Sequence, residues 1–319
     1  MIKKQQKTGW PHAFVKFGTC LGAAIALTLS GCGSAQDHKT PENKSASKTA
    51  PHATSPALWV VKDADTTIYL FGTVHLLKPG MNWFEGDVKN AFDRSDELVL
   101  EVVEPDESEM GTIVTRLALN PNGPTITSRL SGKDKEAYLK ALADYNLPPA
   151  SMDYLDPWMV AVTLSITPLA KLGYDQNLGV EKQLSEAATK AKKPISGLET
   201  VEQQLGYFDS LPEDAQLHYL NVTVAELPQV EKEFNQLLAH WAAGKPDELA
   251  KQMNASLEAT PELAKALLYN RNANWTGWIE KRLAKPGTVF LAVGAGHLAG
   301  KDSVIDMLGQ HKLKVTRVQ

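Results

Sequence analysis

Two histidines stand in the same local phrase at opposite ends of the chain. Gly72-Thr-Val-His75 closes the apolar run Thr67-Ile-Tyr-Leu-Phe71, and Gly294-Ala-Gly-His297 closes the run Val289-Phe-Leu-Ala-Val293. Runs of β-branched and aromatic residues ended by glycine read as buried strands, which places both imidazoles just beyond strand ends. In a mostly parallel sheet, ligands and catalytic groups collect at the C-terminal ends of the strands, so the two Gly-x-x-His turns can meet in one cleft. A glycine three positions before each histidine permits a tight turn and a backbone approach that a Cβ would block.

Two carboxylates join them on the same reasoning. Glu101 interrupts Leu98-Val-Leu-Glu-Val102, and a carboxylate inside a buried strand is costly unless it is paired or bound to a cation. Glu199 ends the strand-like Lys193-Pro-Ile-Ser-Gly-Leu-Glu199, where it either belongs to the site or serves the start of the following helix. Together His75, His297, Glu101 and Glu199 suit a divalent first-row metal (Mn, Fe, Co or Zn) with positions left open for water. Each also has a plainer reading: a satisfied turn histidine, or an arginine salt bridge for Glu101. His218, His240 and His311 read as surface residues, and Trp275 and Trp278 as core at helical spacing. No His-Glu-x-x-His and no Gly-x-Ser-x-Gly occurs, which removes the zincin and α/β-hydrolase signatures. Gly294-Ala-Gly-His-Leu-Ala-Gly300 mimics a dinucleotide fingerprint only loosely, with the glycine spacing one too long and no acid at the end of the next strand to hold a ribose.

The elements that must position these residues form an α/β pattern with a central, mostly parallel sheet and large helical insertions. A hairpin of 57–62 with 67–71 delivers His75, a helix near 85–94 follows, and the strand 97–103 carries Glu101. Helices are expected at 108–119, 132–145, 158–172 and 180–192, then the strand ending at Glu199, then a second helical block over 201–285. The Val289 strand, a helix from Asp302 to Leu308 stopped by Gly309, and a last strand at 314–318 complete the chain. The insertions at about 107–192 and 201–285 lie where a lid or specificity element would.

The N-terminus sets an address. Lys3, Lys4, Lys7 and Lys16 flank the start of a short apolar run, Leu21-Gly-Ala-Ala-Ile-Ala-Leu27, which reads as a signal peptide over 1–31. It ends in Leu29-Ser-Gly-Cys32, similar to a bacterial lipobox, so Cys32 would be lipidated and become the first mature residue. Gly33-Ser34 after it resembles the pattern sent to the outer membrane, facing the periplasm. Residues 33–56 are polar and read as a tether carrying His38 and His52. With Cys20 in the leader and Cys32 lipidated, no thiol remains for a disulfide or a nucleophile. Loss of the leader's four lysines and no acids takes the formal net charge from −4 to −8, which argues against nucleic acid as a partner.

On six phrases in order, the domain from about 57 to 319 resembles the TraB/GumN family. The phrases are Phe71-Gly-Thr-Val-His75, Glu101 in its apolar strand, Leu178-Gly-Val-Glu181, the stretch Lys193 to Gln203, Arg271-Asn272 before Trp275, and Gly294 to Gly300. The family's usual Gly-Val-Asp is Gly-Val-Glu here, which leaves the role of Glu181 open. That family is related to the TIKI metalloproteases and more distantly to ChaN-like haem-binding and erythromycin-esterase-like proteins. The resemblance implies an α/β core and, as in the TIKI branch, metal-dependent hydrolysis of a peptide or protein substrate. It also implies His75 and His297 as metal ligands, Glu101 as ligand or general base, and Glu199 as its partner. Arg271 and Asn272 would orient substrate or support an oxyanion. Two functions remain open: a lipid-anchored metallohydrolase of the peptidase type, and a non-catalytic lipoprotein that binds peptide, haem or metal on the same scaffold.

Overall fold

The computed structural model describes residues 54–257 and 260–319. The signal peptide, Cys32 and nearly all of the tether therefore lie outside the described residues. Six strands form one mixed sheet: β1 (Leu58–Lys62), β2 (Thr66–Thr73), β3 (Glu97–Val102), β4 (Ile195–Glu199), β5 (Gly287–Gly294) and β6 (Val315–Arg317), in the order β4-β3-β5-β2-β1-β6. β4, β3, β5 and β2 run parallel, whereas β1 is antiparallel to both β2 and β6. The register of β2 against β5 pairs Thr73 with Gly294, so the two Gly-x-x-His phrases leave adjacent parallel strands side by side.

Alternation along the strands builds two cores. Phe71, Leu98, Leu100, Phe290 and Ala292 face one side, under helices Gly86–Arg94, Val180–Lys190 and Val230–Ala242. Ile68, Leu70, Val99, Val289, Leu291 and Val293 face the other, under helices Asn270–Leu283 and Val304–Gln310. Glu101 shares the parity of Val99, so its side chain leaves β3 on the face covered by Asn270–Leu283, and that helix carries its partner. A third core, separate from the sheet, lies within the helical insertions and includes Tyr138, Trp158, Phe208 and Tyr219.

The expected helices are present as Glu107–Ala118, Gly132–Asp144, Pro157–Lys171 and Val180–Lys190, with short turns Ile126–Arg129 and Pro149–Met152 between them. One boundary is corrected. Gly309 does not stop the last helix, which runs on to Gln310, and the chain reverses instead at Lys312, whose φ of 64° takes the left-handed turn and whose N–H reaches the Gly309 carbonyl. Glycine is tolerated in a last turn, and an exposed lysine can close it. Among the described residues, no helix is long and apolar enough to cross a membrane.

Candidate functional site

The two Gly-x-x-His phrases pack directly on one another. A Cβ on Gly72 would stand 3.0 Å from the Cα of Ala295, so the first turn needs glycine to let the second approach. Trp241, 4% exposed, donates from its indole to the Gly72 carbonyl at 2.8 Å and holds the turn from below. The glycine of the second phrase has a polar duty as well. Gly294 N–H donates to Glu101 Oε1 at 2.6 Å, and a Cβ there would lie 3.0 Å from that same oxygen.

Glu101 is 7% exposed, and each of its oxygens has a donor. Its Oε2 accepts from Arg271 Nη2 at 2.8 Å and from Gln204 Nε2 at 3.1 Å, and its Oε1 lies 3.7 Å from His297 Nε2. Burial alone would raise its pKa, but the Arg271 charge, with His297, His75 and the Gly294 N–H, holds it at about 2. It is ionised at any physiological pH.

Arg271 sits at the centre, 3% exposed. Nε reaches both oxygens of Glu199 at 3.1 and 3.0 Å, and Nη2 adds Glu199 Oε2 at 3.0 Å to its bond with Glu101. Nη1 donates to the Leu267 carbonyl at 3.0 Å, in the π-wound turn Lys265–Tyr269, and lies 3.2 Å from His297 Nε2. Trp275, one helical turn further on, covers the guanidinium at 4.6 Å and binds Glu199 Oε1 through its indole at 3.0 Å. The tryptophan expected to be plain core is therefore core and site at once. The helix-start alternative for Glu199 also resolves. Thr200 and Gln203 make the capping box, which leaves the Glu199 carboxylate to the arginine. Burial raises the Glu199 pKa, against the pull of Arg271, so of the two carboxylates it is the more basic.

His297 is 4% exposed, and its tautomer follows from its neighbours. Asn272 donates from Nδ2 to the Asp302 carbonyl at 2.8 Å, which turns Oδ1 towards His297 Nδ1 at 2.6 Å. Nδ1 therefore carries the proton, and the Nε2 lone pair faces Arg271. Burial, helped by the Arg271 and His75 charges, pushes this imidazole down to about 3, against Glu101. It is neutral.

His75 is the opposite case. Its Nδ1 lies 2.8 Å from Glu181 Oε1, off the line of a full hydrogen bond, with side chains 23% and 19% exposed. Burial lowers its pKa, but the Glu181 carboxylate, with a further pull from Glu101, more than offsets this and brings it to about 9. Glu181 is in turn held below the usual carboxylate range by His75, despite its own burial. The Gly-Val-Glu phrase is keyed to the first histidine through the backbone. Val180 N–H donates to the Val74 carbonyl at 3.1 Å, and any side chain at Gly179 would run into the His75 carbonyl.

The structure thus brings His75, His297, Glu101, Glu199, Arg271 and Asn272 to one end of the parallel strands. The sequence leaves Glu181 open and does not point to Gln204, which follows directly after the Lys193 to Gln203 phrase. The substrate-orienting role expected of Arg271 and Asn272 finds little room here: every guanidinium nitrogen hydrogen-bonds inside the cluster, Nη2 also lies at ion-pair distance from Glu199, and Asn272 is 0% exposed and holds His297. As a metal set, the residues do not fit in this arrangement. His297 uses both nitrogens, Glu101 both oxygens, and a permanent cation stands between them. Among the described residues, no three His, Cys, Asp or Glu side chains converge as a metal-binding group.

Comparison with known proteins gives a family match and distant relatives. Residues 57–317 match the family model described as TraB/PrgY/gumN family. The chain is 24% identical over 257 residues to an uncharacterised protein, YbaP, of Escherichia coli strain K12, covering 81% of this chain and 93% of that one. It is 21% identical over 285 residues to an uncharacterised protein of Treponema pallidum strain Nichols, covering 80% of each. No solved structure matches.

Proposed function

The chain belongs to the TraB/PrgY/gumN family, and we propose that its buried cluster hydrolyses amide bonds, with a peptide or protein as substrate. One observation carries the reading. Two imidazoles leave adjacent parallel strands and are held in opposite protonation states beside one ionised carboxylate, with His75 at about 9, His297 at about 3 and Glu101 at about 2. Groups whose environments push their titrations apart mark acid and base roles.

His75, protonated at neutral pH and partly exposed, is the proton donor, and Glu181 orients it. A water on Glu101 Oε1, which takes only the Gly294 N–H and keeps one lone pair, attacks the scissile carbonyl carbon and gives its proton to that oxygen. The carbon–nitrogen bond then breaks as the leaving nitrogen takes the proton of His75. Loss of the His75 charge removes one of the influences that hold the Glu101 pKa down, so the proton Glu101 has taken is held better as the acid is spent. Proton exchange with solvent restores both. His297, Asn272 and Arg271 hold the carboxylate in place, and no step passes through a metal.

The lipidated Cys32 and the outer-membrane address belong to this proposal as the place of work. An anchored peptidase at the periplasmic face would meet extended or unfolded chains there.

The test is mass-spectrometric cleavage of a peptide library by purified protein, with His75→Ala and His297→Ala in parallel and circular dichroism confirming that each is folded. Cleavage by the wild type, reduced by at least about 10²-fold in His75→Ala, is the expected result for loss of a general acid. Peptide retention without cleavage in the wild type would sink hydrolysis and favour the binding lipoprotein instead.

A further inference from the structure

The resemblance read from sequence calls for a divalent cation between Glu101 and the histidines. The position is already filled by a cation of the chain's own. Arg271 is 3% exposed, and each of its guanidinium nitrogens hydrogen-bonds inside the cluster, to Glu199, Glu101, the Leu267 carbonyl and His297. The rings of Trp275 and Tyr207 lie 4.6 and 5.9 Å from the guanidinium. An arginine cannot shed its proton to make room for another cation. The lone pair that His297 could offer a metal points at this guanidinium, because Asn272 holds the other nitrogen. The two oxygens of Glu101 are likewise committed, to Arg271 and Gln204 on one side and to Gly294 on the other.

We infer that Arg271 is the resident cation of this centre and stands in place of a divalent metal, so that the native protein takes up no metal in the cluster. Glu199, His297 and Glu101 each meet a different nitrogen of the guanidinium, Nε, Nη1 and Nη2 in turn. Their spacing is set by a planar organic cation, and among the described residues no three such side chains come together as a metal-binding group.

The claim stands apart from the hydrolytic reading, because its test needs no substrate. Purified full-length protein is analysed for metal content, then titrated with Co²⁺ and followed by visible absorption and by the thermal midpoint, with and without a chelator. The wild type is expected to carry well under one equivalent of metal. It should show no saturable Co²⁺ bands and keep its midpoint in chelator. His297→Ala and Glu101→Gln are expected to leave that low metal content unchanged, because neither residue holds a metal, and Arg271→Lys, which keeps a positive charge, should likewise remain free of metal. A stoichiometric metal in the wild type that is lost in His297→Ala would overturn the inference, as would saturable Co²⁺ bands in the wild type that Glu101→Gln abolishes.

Discussion

A carboxylate placed in an apolar strand must find a cation or lose its charge, and Glu101 shows how the chain meets that demand at the level of single side chains. The partner comes from the far end of the sequence and is itself shared with Glu199. Removing one member of a buried pair leaves the other charged and uncompensated, at a cost of about 3–5 kcal/mol. Glu101→Leu and Arg271→Met are each expected to lose stability on that scale in urea unfolding. The double variant should recover only part of the loss, because Glu101 no longer strands a charge but the buried Glu199 still loses its arginine. Two independent, additive losses would show that the pair is not coupled. Glu101 and both histidines were legible in sequence because each breaks or ends an apolar run. Gln204 was not, because a glutamine on a helix carries no such contrast. Arg271 was placed in the site by resemblance alone, and its saturation by Glu199, Glu101 and Leu267 depends on a fold that brings three distant segments together.

Among the elements, glycines decide which phrases can touch. Gly72 admits Ala295, Gly294 admits Glu101, and Gly179 admits the His75 carbonyl, each where a Cβ would collide. None of these three takes a left-handed φ, so the requirement is space. Gly179→Ala should therefore push Gly-Val-Glu off the first histidine, costing about 1–3 kcal/mol as an overpacked contact does. In an ¹⁵N-labelled protein the imidazole signals of His75 should change while those of His297 hold. Equal disturbance of both histidines would mean that the glycine supports the domain in general and not the His75–Glu181 contact. Strand order was only partly readable. Period-two patterning marked the core strands, and their parallel arrangement follows from the helices between them. That β5 inserts between β3 and β2, and so sets the two histidine turns side by side, is a long-range choice made by the packing of Asn270–Leu283 on the sheet. Local sequence carries little of it.

For the whole molecule, the same cluster shapes the response to pH. Glu101 titrates near 2 in the fold against 4.5 for an unperturbed glutamate, so the stability it contributes is present above pH 4.5 and is lost as pH falls towards 2. His297, depressed to about 3 from 6.5, acts in the same direction, because the unfolded chain gains a proton below pH 6.5 that the folded one refuses until about 3. His75 acts oppositely. Its pKa is raised from 6.5 to about 9, so its contribution is whole below pH 6.5 and disappears as pH climbs through 9. Each shift of a few pKa units corresponds to a few kcal/mol, on the order of 3 kcal/mol for His75. Stability should thus peak near pH 6.5 and decline on both sides, which thermal unfolding from pH 3 to pH 10 would trace. The alkaline limb belongs to the His75–Glu181 contact alone among these groups. Glu181→Gln removes the carboxylate that raises His75, and should flatten that limb while leaving the acid limb in place. A wild-type curve level between pH 6.5 and 9 would show that His75 is not held as an imidazolium, and the proton donor of the proposed reaction would have to be sought elsewhere in the cluster.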